Sequence, residues 1–104
     1  MKVYNKLVRD KIPDIIKSKQ QTPVTKVLDD EQYLQCLHEK LFEEANEFVE
    51  ADDKEELADL LEVVYVIAEA KQIDLNEVEK IRKDKQEKRG GFKNKIYLES
   101  VLEQ

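Results

Sequence analysis

An all-α helical bundle with an antiparallel central helix pair is the fold this sequence predicts, and three observations predict it. Only two Gly and two Pro occur in 104 residues, too few for the turns of a β-sandwich or for a Gly-rich phosphate loop. Apolar residues recur at helical spacing through the middle of the chain. Aspartates that suit helix N-caps, Asp29, Asp53 and Asp74, stand before the three longest helical stretches. The length supports one domain spanning residues 1–104, with no internal repeat or linker.

The elements follow in order. Pro13 suits a first helical turn, so residues 13–19 are expected to form a short helix after extended chain. Residues 22–28 and 95–98 tolerate β-structure and are expected to make a small pairing at the rim. The first long helix starts at Asp29-Asp30. It carries Leu34, Leu37, Leu41, Ala45 and Phe48 on one stripe about 80° wide at ~100° per residue, with Phe42 and Val49 widening one side. It ends near Ala51-Asp52. Asp53 then caps the next helix, residues 53–72, with Glu56 in a capping-box position. From Leu57 to Ala68 this helix is apolar nearly all round, which predicts burial on most sides, in a bundle centre or an oligomer interface. The last helix is capped by Asp74, with Glu77 three positions on and Ile73 placed to staple to Val78. It stops at Arg89-Gly90-Gly91 after a basic last turn that suits the helix dipole.

The net charge of −6 hides its own distribution. Residues 43–62 hold ten acids and a single base, Lys54, a net −9. The remainder therefore carries +3, concentrated in residues 2–19 and 80–95. Acids packed this densely cost stability unless water or a cation neutralises them. The overall balance speaks weakly against long nucleic acid as a partner. No apolar run is long enough to span a bilayer and the N-terminal residues lack a signal-peptide core, so no membrane partner and a cytoplasmic location are expected. The single Cys36 excludes an internal disulfide and fits a reducing compartment.

Two acidic pairs share i,i+3 spacing, Glu44-x-x-Glu47 and Glu56-x-x-Asp59, which places each pair on one helix surface. Glu44 borders the first apolar stripe, whereas Glu43 points away and is expected to be solvated. A hairpin turning near Asp52 would bring the pairs face to face. Four carboxylates with no Cys or His beside them suit Mg²⁺ or Mn²⁺. A di-iron bundle needs Glu-x-x-His pairs, and the only histidine, His38, follows Gln35 at that spacing, so this option fails. The plainer alternatives are that Glu56 only completes the capping box and that Glu44 and Glu47 are surface glutamates. Against the second, both lie near a helix C-terminus, where the dipole disfavours negative charge.

At these residues the chain resembles the MazG-like all-α nucleoside triphosphate pyrophosphatases. The flanks Tyr4-Asn5-Lys6-Leu7-Val8-Arg9-Asp10-Lys11-Ile12-Pro13 and Lys88-Arg89-Gly90-Gly91-Phe92 are similar to a phosphoribosyl-ATP pyrophosphohydrolase-like subfamily. The connection between the pairs, residues 48–55, is shorter than in many members. The resemblance implies Mg²⁺-dependent cleavage between the α- and β-phosphates of a nucleoside triphosphate or phosphoribosyl-nucleotide, giving the monophosphate and pyrophosphate, in a house-cleaning role. It implies that Glu44, Glu47, Glu56 and Asp59 bind the metal and carry catalysis. Lys6, Arg9, Lys11, Arg82, Lys85, Lys88 and Arg89 would then grip the phosphates, and the all-round apolar helix implies a homodimer or homotetramer. The rival reading is a non-catalytic helical module for oligomerisation or nucleotide sensing.

Overall fold

The computed structural model describes residues 1–103. It contains four helices and, among the described residues, no strand: α1 (Ile12–Ser18), α2 (Asp30–Ala51), α3 (Lys54–Ala70) and α4 (Leu75–Arg89). Neither residues 22–28 nor residues 95–98, expected to make a rim pairing, form a strand. Val24 and Val27 are almost fully exposed, so the first of these segments has no apolar surface to lean on. Lys95 adopts φ 62°, a left-handed conformation that breaks an extended strand.

Two compact units make up the chain, Met1–Gln72 and Ile73–Gln104. The first is organised by α2 and α3, the pair that packs most extensively. The turn between them follows from two adjacent aspartates. Asp52 ends α2 in the left-handed region (φ 55°, ψ 41°), and its N–H donates to the Phe48 carbonyl at 2.8 Å. Asp53 returns to extended backbone, and its Oδ1 accepts from the Glu56 N–H at 2.9 Å, starting α3. The earlier cap, Asp29, accepts from Gln32 N–H at 2.8 Å.

Burial in this unit is sparse. Leu37, Val63 and Ala68 are its buried hydrophobic residues, with Leu34, Leu41, Ala45, Phe48, Leu60 and Ile67 partly covered around them. Leu37 and its flanking partly covered residues are the stripe foreseen on the first long helix. The widening residues Phe42 and Val49 face solvent instead. Nor is α3 buried on most sides within the single chain. Leu57, Leu61, Val64 and Tyr65 are exposed, because α2 is the one helix that packs extensively on it.

The second unit is α4 with its flanks. Asp74 caps it, but its carboxylate accepts from Asn76 N–H at 2.8 Å and not from Glu77, so the capping box does not close. Ile73 and Val78 both remain exposed. Gly90 terminates the helix at φ 83°, ψ 173°, a conformation essentially confined to glycine.

Candidate active site

The α2–α3 hairpin brings three of the four paired carboxylates together. Glu44, Glu56 and Asp59 each offer an oxygen within 4.8 Å of the others. Glu47, exposed one turn along α2, joins Glu43 and Glu44 in a second group of the same tightness. Glu44 belongs to both groups and so links all four residues. The short connection is no obstacle, because the Asp52-Asp53 turn reverses the chain within two residues.

Glu44 is the one buried charged residue among those described, only 7% exposed. Its position one turn beyond Lys40 and Leu41, on the margin of the packed stripe, forces a carboxylate against apolar neighbours. Its Oε1 lies 3.5 Å from Lys40 Nζ, while its Oε2 is buried with no hydrogen-bond partner. Glu56 Oε2 is orphaned in the same way. The cap explains the Glu56 backbone but not its side chain, which makes no return hydrogen bond to the Asp53 N–H among the described residues. A buried acceptor without a partner costs free energy, and a carboxylate more than a neutral group.

Electrostatics point the same way. Burial, reinforced by the Glu47 charge and opposed by Lys40, pushes the Glu44 carboxyl above the usual carboxylate range. Desolvation, then the charges of Glu47, Asp59, Asp53 and Glu44, raises Glu56 likewise. Two acids held against ionisation, each with an oxygen aimed at no donor, fit a divalent cation. Oxygen is the only donor type present, which suits a hard cation such as Mg²⁺.

The basic residues divide. Arg9, on the segment before α1, reaches across to α3, where its Nη2 donates to Asp59 Oδ1 at 2.8 Å. Lys6 Nζ lies 3.6 Å from Glu43 Oε1, so Glu43 is not the freely solvated residue its position on the helix suggested. Lys40, three residues before Glu43, also approaches it at 3.9 Å. Lys40 was missed in the sequence, although its i,i+3 and i,i+4 spacing to Glu43 and Glu44 was readable there. Lys11 is the exposed N-cap of α1. On α4, Arg82 pairs with Glu79 and Lys88 with Asp84, both within the helix, while Lys85 and Arg89 are exposed.

A family model described as phosphoribosyl-ATP pyrophosphohydrolase matches residues 9–86, about three quarters of the chain. The match takes in all four carboxylates, Arg9 and Lys11, and on α4 Arg82 and Lys85. A relative from Mycolicibacterium smegmatis, described only as an uncharacterized protein, is 43% identical over 49 residues, or 47% of this chain. The aligned stretch spans 50% of that relative's length. No solved structure matches the chain.

Proposed function

We propose, since the chain belongs to the phosphoribosyl-ATP pyrophosphohydrolase family, that it hydrolyses a nucleotide between the α- and β-phosphates in a Mg²⁺-dependent reaction. The products are the monophosphate and pyrophosphate, and the substrate is a nucleoside triphosphate or a phosphoribosyl-nucleotide. The observation that carries this reading is the pair of orphaned carboxylate oxygens, Glu44 Oε2 and Glu56 Oε2, in a set closed by Asp59. Those three residues would hold the cation, with Glu47 at the exposed rim. A bound divalent ion supplies neutralisation of the charge that builds on the phosphates as the bond breaks.

The chain's own groups do the rest. Arg9 and Lys6 flank the acidic set from the N-terminal segment and can donate to phosphate oxygens; the guanidinium offers a two-pronged donor that an ammonium lacks. Lys11, Arg82, Lys85, Lys88 and Arg89 are the further donors proposed for the polyphosphate, and a house-cleaning role on non-standard nucleotides is proposed from the family. Among the described residues, no helix is long and apolar enough to cross a membrane. Cytoplasmic location is proposed with the activity.

Assembly of copies is proposed from the exposed face of α3. Leu57, Leu61 and Val64 recur at i, i+4 and i+7 beside Tyr65, an apolar strip that a second copy, as homodimer or within a homotetramer, would cover.

The deciding experiment measures pyrophosphate release from a nucleotide panel with and without Mg²⁺. Turnover is expected only with the metal, and Glu44→Gln or Asp59→Asn is expected to lower it at least about a hundredfold, several kcal/mol of lost charge stabilisation. Unchanged turnover in both variants sinks the catalytic assignment. Light scattering tests the assembly: Leu61→Glu should shift the chain to monomer.

A further inference from the structure

We infer that Arg9 acts as an exchangeable placeholder at the metal site. It holds Asp59 when no cation is there and turns to the phosphates when the cation takes Asp59. The inference rests on the reading of Glu44, Glu56 and Asp59 as the cation's ligands, and adds a coupling between metal and phosphate binding that runs through one side chain.

The geometry carries it. Arg9 and Asp59 stand fifty residues apart in the chain, yet Nη2 and Oδ1 meet at 2.8 Å. Asp59 is one of the three residues whose oxygens converge within 4.8 Å, so the guanidinium sits on an atom set shaped for a cation. It supplies positive charge at Asp59, as Lys40 does at Glu44 Oε1. The partners Glu44 and Glu56, by contrast, keep oxygens with no donor at all. Arg9 therefore satisfies the accessible edge of the set and leaves its buried part open.

The contact is also cheap to break. The Arg9 side chain is 59% exposed and that of Asp59 is 44% exposed, and an ion pair in that setting contributes little because water screens it. The backbone that carries Arg9 need not move far to release it. Residues 1–11 precede α1 without belonging to any helix, and the Arg9 carbonyl accepts from the Ile12 N–H at 3.0 Å, so the α1 end stays anchored. A divalent ion bound by Asp59 replaces the guanidinium in its electrostatic role. It leaves Arg9 unpaired beside the site, where a planar, always-charged fork binds phosphate oxygens. Metal binding thus prepares the phosphate grip, and by linkage phosphate must favour metal binding to the same extent.

Isothermal titration on the full chain separates this from a merely structural ion pair, in two arms. With Mg²⁺ alone, Arg9→Ala is expected to bind the ion about two- to fivefold more tightly than the unsubstituted chain, the range that an exposed ion pair allows. Lys11→Ala removes the same charge two residues away and should change Mg²⁺ affinity less than Arg9→Ala does. At saturating Mg²⁺, inorganic pyrophosphate should bind Arg9→Ala more weakly than the unsubstituted chain. Opposite signs in the two arms support the exchange. Unchanged or weaker Mg²⁺ binding by Arg9→Ala overturns it, as does equal tightening by Lys11→Ala, or pyrophosphate affinity that does not fall. In those cases the metal site itself stands, whereas Mg²⁺ binding by none of the three chains overturns the site reading and the exchange together.

Discussion

The α2–α3 hairpin and α4 are both rich in charge, and they use it in opposite ways. Along α4 the acids and bases alternate, Arg82 pairs with Glu79 and Lys88 with Asp84 inside the helix, and no residue of the helix is buried. Such charge solvates a surface: two pairs form within the helix, and the other charged groups of α4 are exposed to water. In the hairpin, acid crowds on acid, Glu44 is buried, and two carboxylate oxygens have no partner. Among the described residues, the bases in contact are Lys6, Arg9 and Lys40, which reach Glu43, Asp59 and Glu44 but neither orphaned oxygen. Charge count does not separate the two regions. Burial without a partner does, and it marks the region that stability alone would not select.

The sharpest way to test that contrast is to supply the missing partner. Mg²⁺ should raise the melting temperature of the chain, by about 2.7 kcal/mol of added stability at a hundred times the dissociation constant. A Glu44→Gln/Glu56→Gln double variant should lose this response, whereas Glu87→Gln on α4 should keep it. The effect should also depend on pH with a definite sign. Glu44 and Glu56 have folded pKa values above their unfolded ones, so the folded chain keeps protons that the unfolded chain releases. Their contribution to metal-free stability is fully present below the ordinary carboxylate value and is lost as pH rises through the raised values. Metal binding needs both groups deprotonated, so the gain from Mg²⁺ grows over the same window. Melting curves with and without Mg²⁺ should therefore diverge as pH rises from the ordinary carboxylate range toward neutrality. Parallel curves would mean that these carboxylates do not meet the ion.

Much of this was legible in the residues. The caps Asp29, Asp53 and Asp74 fixed three helix starts because a short side-chain acceptor before an apolar repeat has few other uses. The i,i+3 spacing put Glu44 with Glu47 and Glu56 with Asp59 on common surfaces, and the hairpin joined them. What was not legible depends on long-range packing. No local pattern pairs Arg9 with Asp59, since the contact exists only once the N-terminal segment is laid against α3. The α3 face that stays exposed in the single chain was legible as apolar, but periodicity reports apolarity and not which neighbour covers it. The rim strands failed for the same reason: β-tolerant residues make a strand only where a partner strand is brought alongside.

The two helix ends extend the comparison to the backbone. Gly90 closes α4 with φ 83°, while α2 closes with Asp52 at φ 55°, a left-handed position held by a residue with a Cβ. Asp tolerates that region through its short polar side chain but gains nothing there over glycine. Asp52→Gly should therefore stabilise the hairpin by about 0.5–1 kcal/mol and remove one acid from a crowded turn. Gly90→Ala should do the reverse at the end of α4, since φ 83° with ψ 173° strains any side chain even though no atom lies within 4 Å of the added Cβ. Urea midpoints measure the first and amide exchange along α4 the second. A destabilised Asp52→Gly would show that the Asp52 side chain contributes to the turn itself.

The smallest effect belongs to the exposed pairs of α4, and its size is the point. Lys88 Nζ lies 3.0 Å from Asp84 Oδ2 at i,i+4 spacing, with both side chains more than half exposed. The order, acid before base near the helix C-terminus, agrees with the dipole. Lys88→Ala should still cost only about 0.3–0.5 kcal/mol, seen as slightly faster amide exchange over the last turn, and the loss should shrink further in high salt. Mg²⁺ should neither enlarge nor repair it. A salt-insensitive loss well above 1 kcal/mol would mean that α4 holds its charge in a desolvated setting, and the distinction between solvated charge on α4 and unpartnered charge in the hairpin would fail.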